Sequence, residues 1–150
     1  MKNFNFIKMN GLGNDFVIID QRDGPFQLNE NQIKTICDRK QGIGCDQLIL
    51  IKKNEDSDAS LEFYNSDGGV SEACGNGTRC VANLLSKENN KSLITLTTRA
   101  GDLKSEILGE KLVSTEIGKG RAEWNEIPLS EQSDTNNLNI TITDLNNNNH

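Results

Sequence analysis

Glu72-Ala73-Cys74-Gly75-Asn76-Gly77-Thr78-Arg79-Cys80 is the stretch at which the chain changes period. Just upstream, Leu61 to Tyr64 reads as a strand, closed by the turn Asn65-Ser66-Asp67-Gly68-Gly69. Just downstream, Val81, Leu84 and Leu85 fall on one face of a helix running from about Gly75 to Ser86. Cys74 then stands immediately before the first free backbone N–H groups of that helix. Those groups and the helix dipole favour negative charge. They stabilise a thiolate at Cys74, and the amides of Gly75 and Asn76 are placed to hold a carboxylate. Gly75 and Gly77 would let a ligand approach the backbone closely. A carboxylate anchored beside a thiolate base is what α-proton abstraction from an amino acid requires, because binding the carboxylate stabilises the enolate-like charge that develops. The competing reading is a small buried hydrophobe, the usual fate of a free cysteine. Residue chemistry alone leaves Cys74 balanced between the two, and puts Cys37, Cys45 and Cys80 on the packing side.

Outward from this stretch, Phe4 to Met9 and Phe16 to Asp20 read as strands joined by the polar loop Asn10 to Asp15. Asn29, with Gln32 three residues on, reads as the capped start of a helix. Ile33, Ile36 and Cys37 face its core side, and Gly42 ends it. Leu48 to Ile51 is a buried-type strand. Beyond the second helix, Leu93 to Thr98, Leu103 to Leu108 and Leu112 to Ile117 form a meander across two glycine turns. The sum is an α+β arrangement, mostly antiparallel, with two helices. From Ser130 onward the chain is polar, with an asparagine run at Asn146 to Asn149. Ile140 and Ile142 are the one candidate strand there, and the tail reads as partly disordered.

Composition narrows the function. The chain has 150 residues, a net charge of −6 and 34% hydrophobic residues. That balance argues against a nucleic-acid partner and against an anionic membrane surface. No apolar run is long enough to span a bilayer, and the first residues do not read as a secretory signal. The cytoplasm is the expected compartment, with the four cysteines as reduced thiols. The single histidine is His150, so proton chemistry falls to carboxylates, thiols, lysine or tyrosine rather than to a Cys/His pair or a histidine metal site. Two other glycine loops, Gly11 to Phe16 and Gln41 to Asp46, lack the following helix of a dinucleotide site and the Gly-Lys-Ser/Thr end of a P-loop.

Four blocks carry a family resemblance. Met9-Asn10-Gly11-Leu12-Gly13-Asn14-Asp15-Phe16, Gly42-Ile43-Gly44-Cys45-Asp46-Gln47, Phe63-Tyr64-Asn65-Ser66-Asp67-Gly68 and Cys74-Gly75-Asn76-Gly77-Thr78-Arg79-Cys80 occur in the order and spacing of diaminopimelate epimerases. The chain resembles the N-terminal lobe of that family. Two departures are mild: Asn10 stands where the family usually has histidine, and Ala73 where methionine often precedes the cysteine. The resemblance implies one lobe of a two-lobed fold, an antiparallel curved sheet around a central helix. It implies interconversion of LL- and meso-diaminopimelate, for lysine and peptidoglycan precursors, without pyridoxal phosphate or metal. Two cysteines from two lobes work on opposite faces of the α-carbon, one as thiolate base and one as thiol acid.

By that resemblance Cys74 is the first-lobe catalytic cysteine. Asn14, Gln47 and Asn65 match substrate-binding positions, and Gly75 and Asn76 match the amides that hold the α-carboxylate. Read as residues alone, Asn14 and Asn65 are ordinary turn residues. Asp15, Asp46 and Asp67 read as turn or cap residues, and Arg79 as a surface or carboxylate-pairing residue.

Residues 1–118 are expected to form the N-terminal lobe, and 119–150 the crossover and a truncated start of the second. No second Cys-Gly-x-Gly run, Glu-Arg-Gly segment or Asn-Pro-His segment follows. The expectation is an epimerase lobe with little activity alone, binding diaminopimelate as a small-molecule substrate and with a homodimer as one way to cover its open face. The alternatives are a non-catalytic remnant that binds diaminopimelate or another subunit, and a related isomerase such as a proline racemase-like enzyme.

Overall fold

The computed structural model describes residues 4–139; the Ile140 to Ile142 strand and the asparagine run lie outside the described residues. The chain divides into two units, 1–117 and 118–150.

The first unit is a mixed sheet with a helix on each face. Strands β1 (Ile7–Gly11) and β2 (Asn14–Asp20) form a hairpin. Its two-residue turn puts Leu12 at φ 53° and Gly13 at φ 93°, the pair of positive φ values that matches the twist of a tight hairpin. Helix α1 (Glu30–Cys37) then crosses to β3 (Gln47–Lys52), which runs parallel to β2. Strand β4 (Ala59–Asn65) returns antiparallel to β3 and pairs with the short β5 (Val70–Ser71). Helix α2 (Gly75–Asn89) crosses to β6 (Leu93–Thr98), parallel to β4. Strands β7 (Gly101–Gly109) and β8 (Leu112–Thr115) complete the meander. The sheet order is β1-β2-β3-β4-β6-β7-β8, with β5 beside β4.

Two helices explain why the central strands are apolar without alternation. Phe16-Val17-Ile18-Ile19 and Leu48-Ile49-Leu50-Ile51 are all buried. Alternate residues point to opposite faces, and each face has its own core. Phe16, Ile18, Ile49, Ile51, Leu61 and Phe63 pack with Val81 and Leu85 of α2. Val17, Ile19, Leu48 and Leu50 pack with Ile33, Ile36 and Cys37 of α1. Strands covered on both sides need no polar face.

Local chemistry sets the helix ends. Asn29 caps α1 in a complete capping box: its Oδ1 accepts from the Gln32 N–H at 2.9 Å, and the Gln32 Oε1 accepts from the Asn29 N–H at 2.9 Å. Replacing Asn29 by alanine is expected to cost about 1 kcal/mol, read as a lower urea midpoint at unchanged slope. Helix α2 ends on Asn90 in the left-handed region, φ 53°, a conformation asparagine tolerates better than most residues.

Four expectations need adjustment. The polar loop read from Asn10 to Asp15 is only the two-residue turn Leu12-Gly13, because Asn10 pairs with Asp15 and Gly11 with Asn14 inside the hairpin. The first strand starts at Ile7, not Phe4; the Phe4 ring stacks on Phe26, with centroids 6.0 Å apart. Helix α1 stops at Cys37, because Asp38 is extended at ψ 125°. Gly42 lies in the following turn, where its N–H donates to the Asp38 carbonyl at 2.9 Å and a Cβ would collide with the Thr35 carbonyl oxygen. The third strand of the meander ends at Thr115 rather than Ile117.

In the second unit, the described residues hold a single 3-10 turn at Trp124–Glu126, closed by the Glu126 N–H on the Glu123 carbonyl at 2.9 Å.

Candidate active site

Sheet register gathers the polar residues at one end of the α2 face. Phe16 is paired with Gln47, and Gln47 with Asn65. Asn14 lies two residues before Phe16, Gln47 two before Ile49, and Asn65 two after Phe63. Because side chains alternate along a strand, Asn14, Gln47 and Asn65 share the face on which Phe16, Ile49 and Phe63 pack against α2. The apolar layer thus ends in a polar row. Gln47 Nε2 donates to Asn65 Oδ1 at 2.8 Å across the β3–β4 pair.

Helix α2 brings its mouth to the same end. A Cβ on Gly77 would lie 2.8 Å from Ile49 Cδ1 and 3.1 Å from Phe63 Cε1. Gly77 is therefore set by packing of the helix onto the sheet, not by ligand approach as its sequence context suggested. Gly75 has no such crowding, its nearest neighbours being ordinary contacts at 3.6 and 3.7 Å. Cys74 is the N-cap residue, extended at φ −147° and ψ 104°. Its Sγ accepts from the Gly77 N–H at 3.3 Å, and its carbonyl accepts from the Thr78 N–H and Oγ1, each at 2.8 Å. The N–H groups of Gly75 and Asn76 have no acceptor among the described residues. The mouth thus joins a half-buried sulfur, already receiving one amide proton, to two further donors.

Side-chain bonds tie the mouth to the sheet. Asn76 Nδ2 donates to Asn14 Oδ1 at 2.7 Å, and Arg79 Nη2 donates to Asn76 Oδ1. The site residues read from the sequence thus form two bonded pairs, Asn14 with Asn76 and Gln47 with Asn65. The hairpin seats on the same helix, since a Cβ on Gly11 would lie 3.1 Å from Cys80 Sγ. Asn10 serves its own turn, its Oδ1 accepting from the Gly13 N–H at 3.3 Å.

Three of the four thiols are buried: Cys37, Cys45 and Cys80. Burial, with the nearby Cys74 sulfur, pushes the Cys80 thiol up. Cys37 lies 3.4 Å from Cys45, and the hydrogen bond shared by the two sulfurs, together with burial, pushes the Cys37 thiol up as well. The packing role expected of these three matches their positions.

Residue reading missed an ion cluster beneath Asn14. Arg39 bridges Asp15 (Nη2 to Oδ1, 2.7 Å) and Asp46 (Nη2 to Oδ1, 2.9 Å), and Lys8 Nζ reaches Asp15 Oδ2 at 2.8 Å. Asp15 and Asp46 also cross-cap their backbones, each N–H donating to the other's carboxylate at 3.0 Å. The available signal was the charge pattern itself, one aspartate at the start of β2 and one just before β3, with an arginine in the crossover between them. The Arg39 guanidinium, opposed by partial burial and helped by Lys8, holds the Asp15 carboxyl well below the usual carboxylate range. A carboxyl depressed by folding contributes stability that is present above its unfolded value of about 3.9 and lost as pH falls toward the folded value. Stability is therefore expected to decline below about pH 4. Asp15→Asn should lower the urea midpoint at pH 7 and flatten that acid decline.

The family model for diaminopimelate epimerase matches residues 6–124. Diaminopimelate epimerase of Pelagibacter ubique is 64% identical over 143 residues, covering 95% of this chain and 52% of that protein. The chain spans about half the length of the curated relatives it matches. Among solved structures, a phenazine biosynthesis protein of the PhzF family from Bacillus anthracis superimposes with a TM-score of 0.55 at 23% identity, over 71% of this chain and 36% of that one. A hydroxyproline epimerase from Agrobacterium vitis gives a TM-score of 0.51 at 14% identity, over 67% of this chain and 36% of that one. These structures show the fold, one lobe of the epimerase-like architecture. The family match over residues 6–124 goes further, and the chain belongs to the diaminopimelate epimerase family.

Proposed function

We propose that the chain supplies one half of a cofactor-independent epimerase site that inverts the α-carbon of diaminopimelate, with Cys74 as the acid/base group on one face. The observation that carries this reading is the helix mouth. Cys74 Sγ caps α2 beside the free N–H groups of Gly75 and Asn76, and the amides of Asn14, Gln47 and Asn65 border the same end of the sheet. The α-carboxylate sits on the two free amides, which places the α-carbon near the sulfur. As the thiolate takes the α-proton, the C–H bond breaks and an S–H bond forms. The electron pair left behind spreads into the carboxylate, where the amide donors stabilise it. A thiol on the opposite face then delivers a proton to the α-carbon. In the reverse direction Cys74 is the donor. Asn14, Gln47 and Asn65 orient the rest of the amino acid, and closure of a second lobe excludes water. The reaction belongs in the cytoplasm, where the four free thiols remain reduced.

The test is a chimera of this chain with the C-terminal half of the Pelagibacter ubique relative. Incubated with LL-diaminopimelate in heavy water, it should yield meso-diaminopimelate with deuterium at the inverted α-carbon. A folded chimera that incorporates no deuterium contradicts the reading.

A further inference from the structure

Two amides of the site lie in a hydrogen-bond chain with opposite charges at its ends. Arg79 Nη2 donates to Asn76 Oδ1, and Asn76 Nδ2 donates to Asn14 Oδ1 at 2.7 Å. Asn14 Nδ2 points to Asp46 Oδ2 at 3.5 Å, the long link, and Asp46 Oδ1 accepts from Arg39 at 2.9 Å. From Arg79 to Asp46 each donor points the same way, from the guanidinium toward the carboxylate. A side-chain amide can present either its oxygen or its nitrogen, so neutral surroundings would leave both asparagines free to flip. Here a flipped Asn76 would turn its NH2 on Arg79, and a flipped Asn14 would turn its oxygen on Asp46. Charged partners roughly double the strength of such bonds.

We propose that Arg79 and Asp46 are positioning residues: the two poles of a relay that fixes which face of the Asn14 and Asn76 amides is offered to a bound substrate. This inference rests on the proposed site, since it assigns Asn14 and Asn76 their donor orientation there. Arg79 reaches Asn76 because residues three apart are neighbours on a helix. Asp46 reaches Asn14 because it precedes β3 just as Asn14 opens β2, and the two strands are parallel. Arg39 in turn holds Asp46. The second proton of each NH2 remains available as a donor, so the relay prepares the amides for an oxygen acceptor such as a carboxylate.

Side-chain amide NMR on the intact chain tests this directly. The bonded Nδ2 protons of Asn14 and Asn76 should exchange with solvent about fivefold more slowly than those of exposed Asn5, the protection a typical hydrogen bond gives. Arg79→Leu should shift both pairs of signals and remove that protection. The shift at Asn14 is the telling part, because Arg79 acts there only through Asn76. Arg79→Lys, which keeps a cationic donor, should restore most of the effect. If Arg79→Leu does not fold, the isosteric Asp46→Asn tests the other pole, and the Asn76 signals should then move. Unprotected amides in the wild type, or an Asn14 signal unmoved in a folded Arg79→Leu variant, overturns the relay. Titration with meso-diaminopimelate separates this from the proposed function. Protected amides that ignore the ligand leave the relay standing and count against the substrate.

Discussion

Replacing Cys74 by alanine in the two-lobe chimera should lower α-deuterium incorporation into diaminopimelate by roughly 10²–10⁴-fold, the range for loss of a positioned acid/base group. The loss should fall on turnover rather than on folding. Cys74 is half-buried at the helix mouth, and its cap function uses one amide bond to sulfur and two bonds to its carbonyl. The carbonyl bonds survive the substitution. Cys74→Ser keeps a cap acceptor, since serine is a favoured N-cap residue, but a hydroxyl is far less acidic than a thiol. Serine should therefore retain stability and still lose exchange. Undiminished exchange in the alanine variant would remove Cys74 from the mechanism. Cys80→Ala gives the contrast: this buried thiol packs against Gly11, so it should alter stability more than chemistry.

The largest effect on stability is expected from Phe63→Ala. The ring is 1% exposed and packs in the α2-facing core with Phe16, Ile49 and Leu61. Removing a buried phenylalanine ring leaves a cavity and costs about 3–5 kcal/mol. For a unit of this size that is a fall in melting temperature of roughly 10–20 °C. The substitution should also reach the site. Phe63 meets the helix at Gly77, whose N–H donates to Cys74, and lies two residues from Asn65. A cavity there loosens the seat of the helix mouth against the Gln47–Asn65 pair. Thermal unfolding followed by circular dichroism checks the first part. The rate of Cys74 alkylation in the folded variant checks the second. A change under 1 kcal/mol would mean that Phe63 is not the floor of the helix mouth.

Much of this was legible where the physics is local. The Asn29–Gln32 capping box, the switch to helical period after Cys74 and the glycine turns of the meander each lie within a few residues, and each formed as read. Pairing between distant segments was not legible. Nothing near Leu48 says that β3 lies parallel to β2, or that β6 lies parallel to β4, because those contacts are made only after a helix crosses the sheet. The unbroken apolar runs at Phe16–Ile19 and Leu48–Ile51 were the available hint of burial on both faces. The site divides in the same way. Cys74 could be placed at a helix mouth from its own neighbours. The bond between Asn14 and Asn76 depends on how the hairpin seats on α2, where Gly11 approaches Cys80 and the Asn76 carbonyl. Gly77 shows the limit of reading a motif from composition, since its missing side chain serves Ile49 and Phe63 rather than a ligand.

In the proposed mechanism the mouth of α2 makes Cys74 the reactive thiol and seats an amino-acid carboxylate beside it. Limited alkylation of the native chain with iodoacetamide at neutral pH, read peptide by peptide in a mass spectrometer, tests it most directly. Cys74 should be labelled well ahead of the buried Cys37, Cys45 and Cys80, and meso-diaminopimelate should slow its labelling. Labelling of Cys80 as fast as Cys74, or a Cys74 rate indifferent to diaminopimelate, would contradict it.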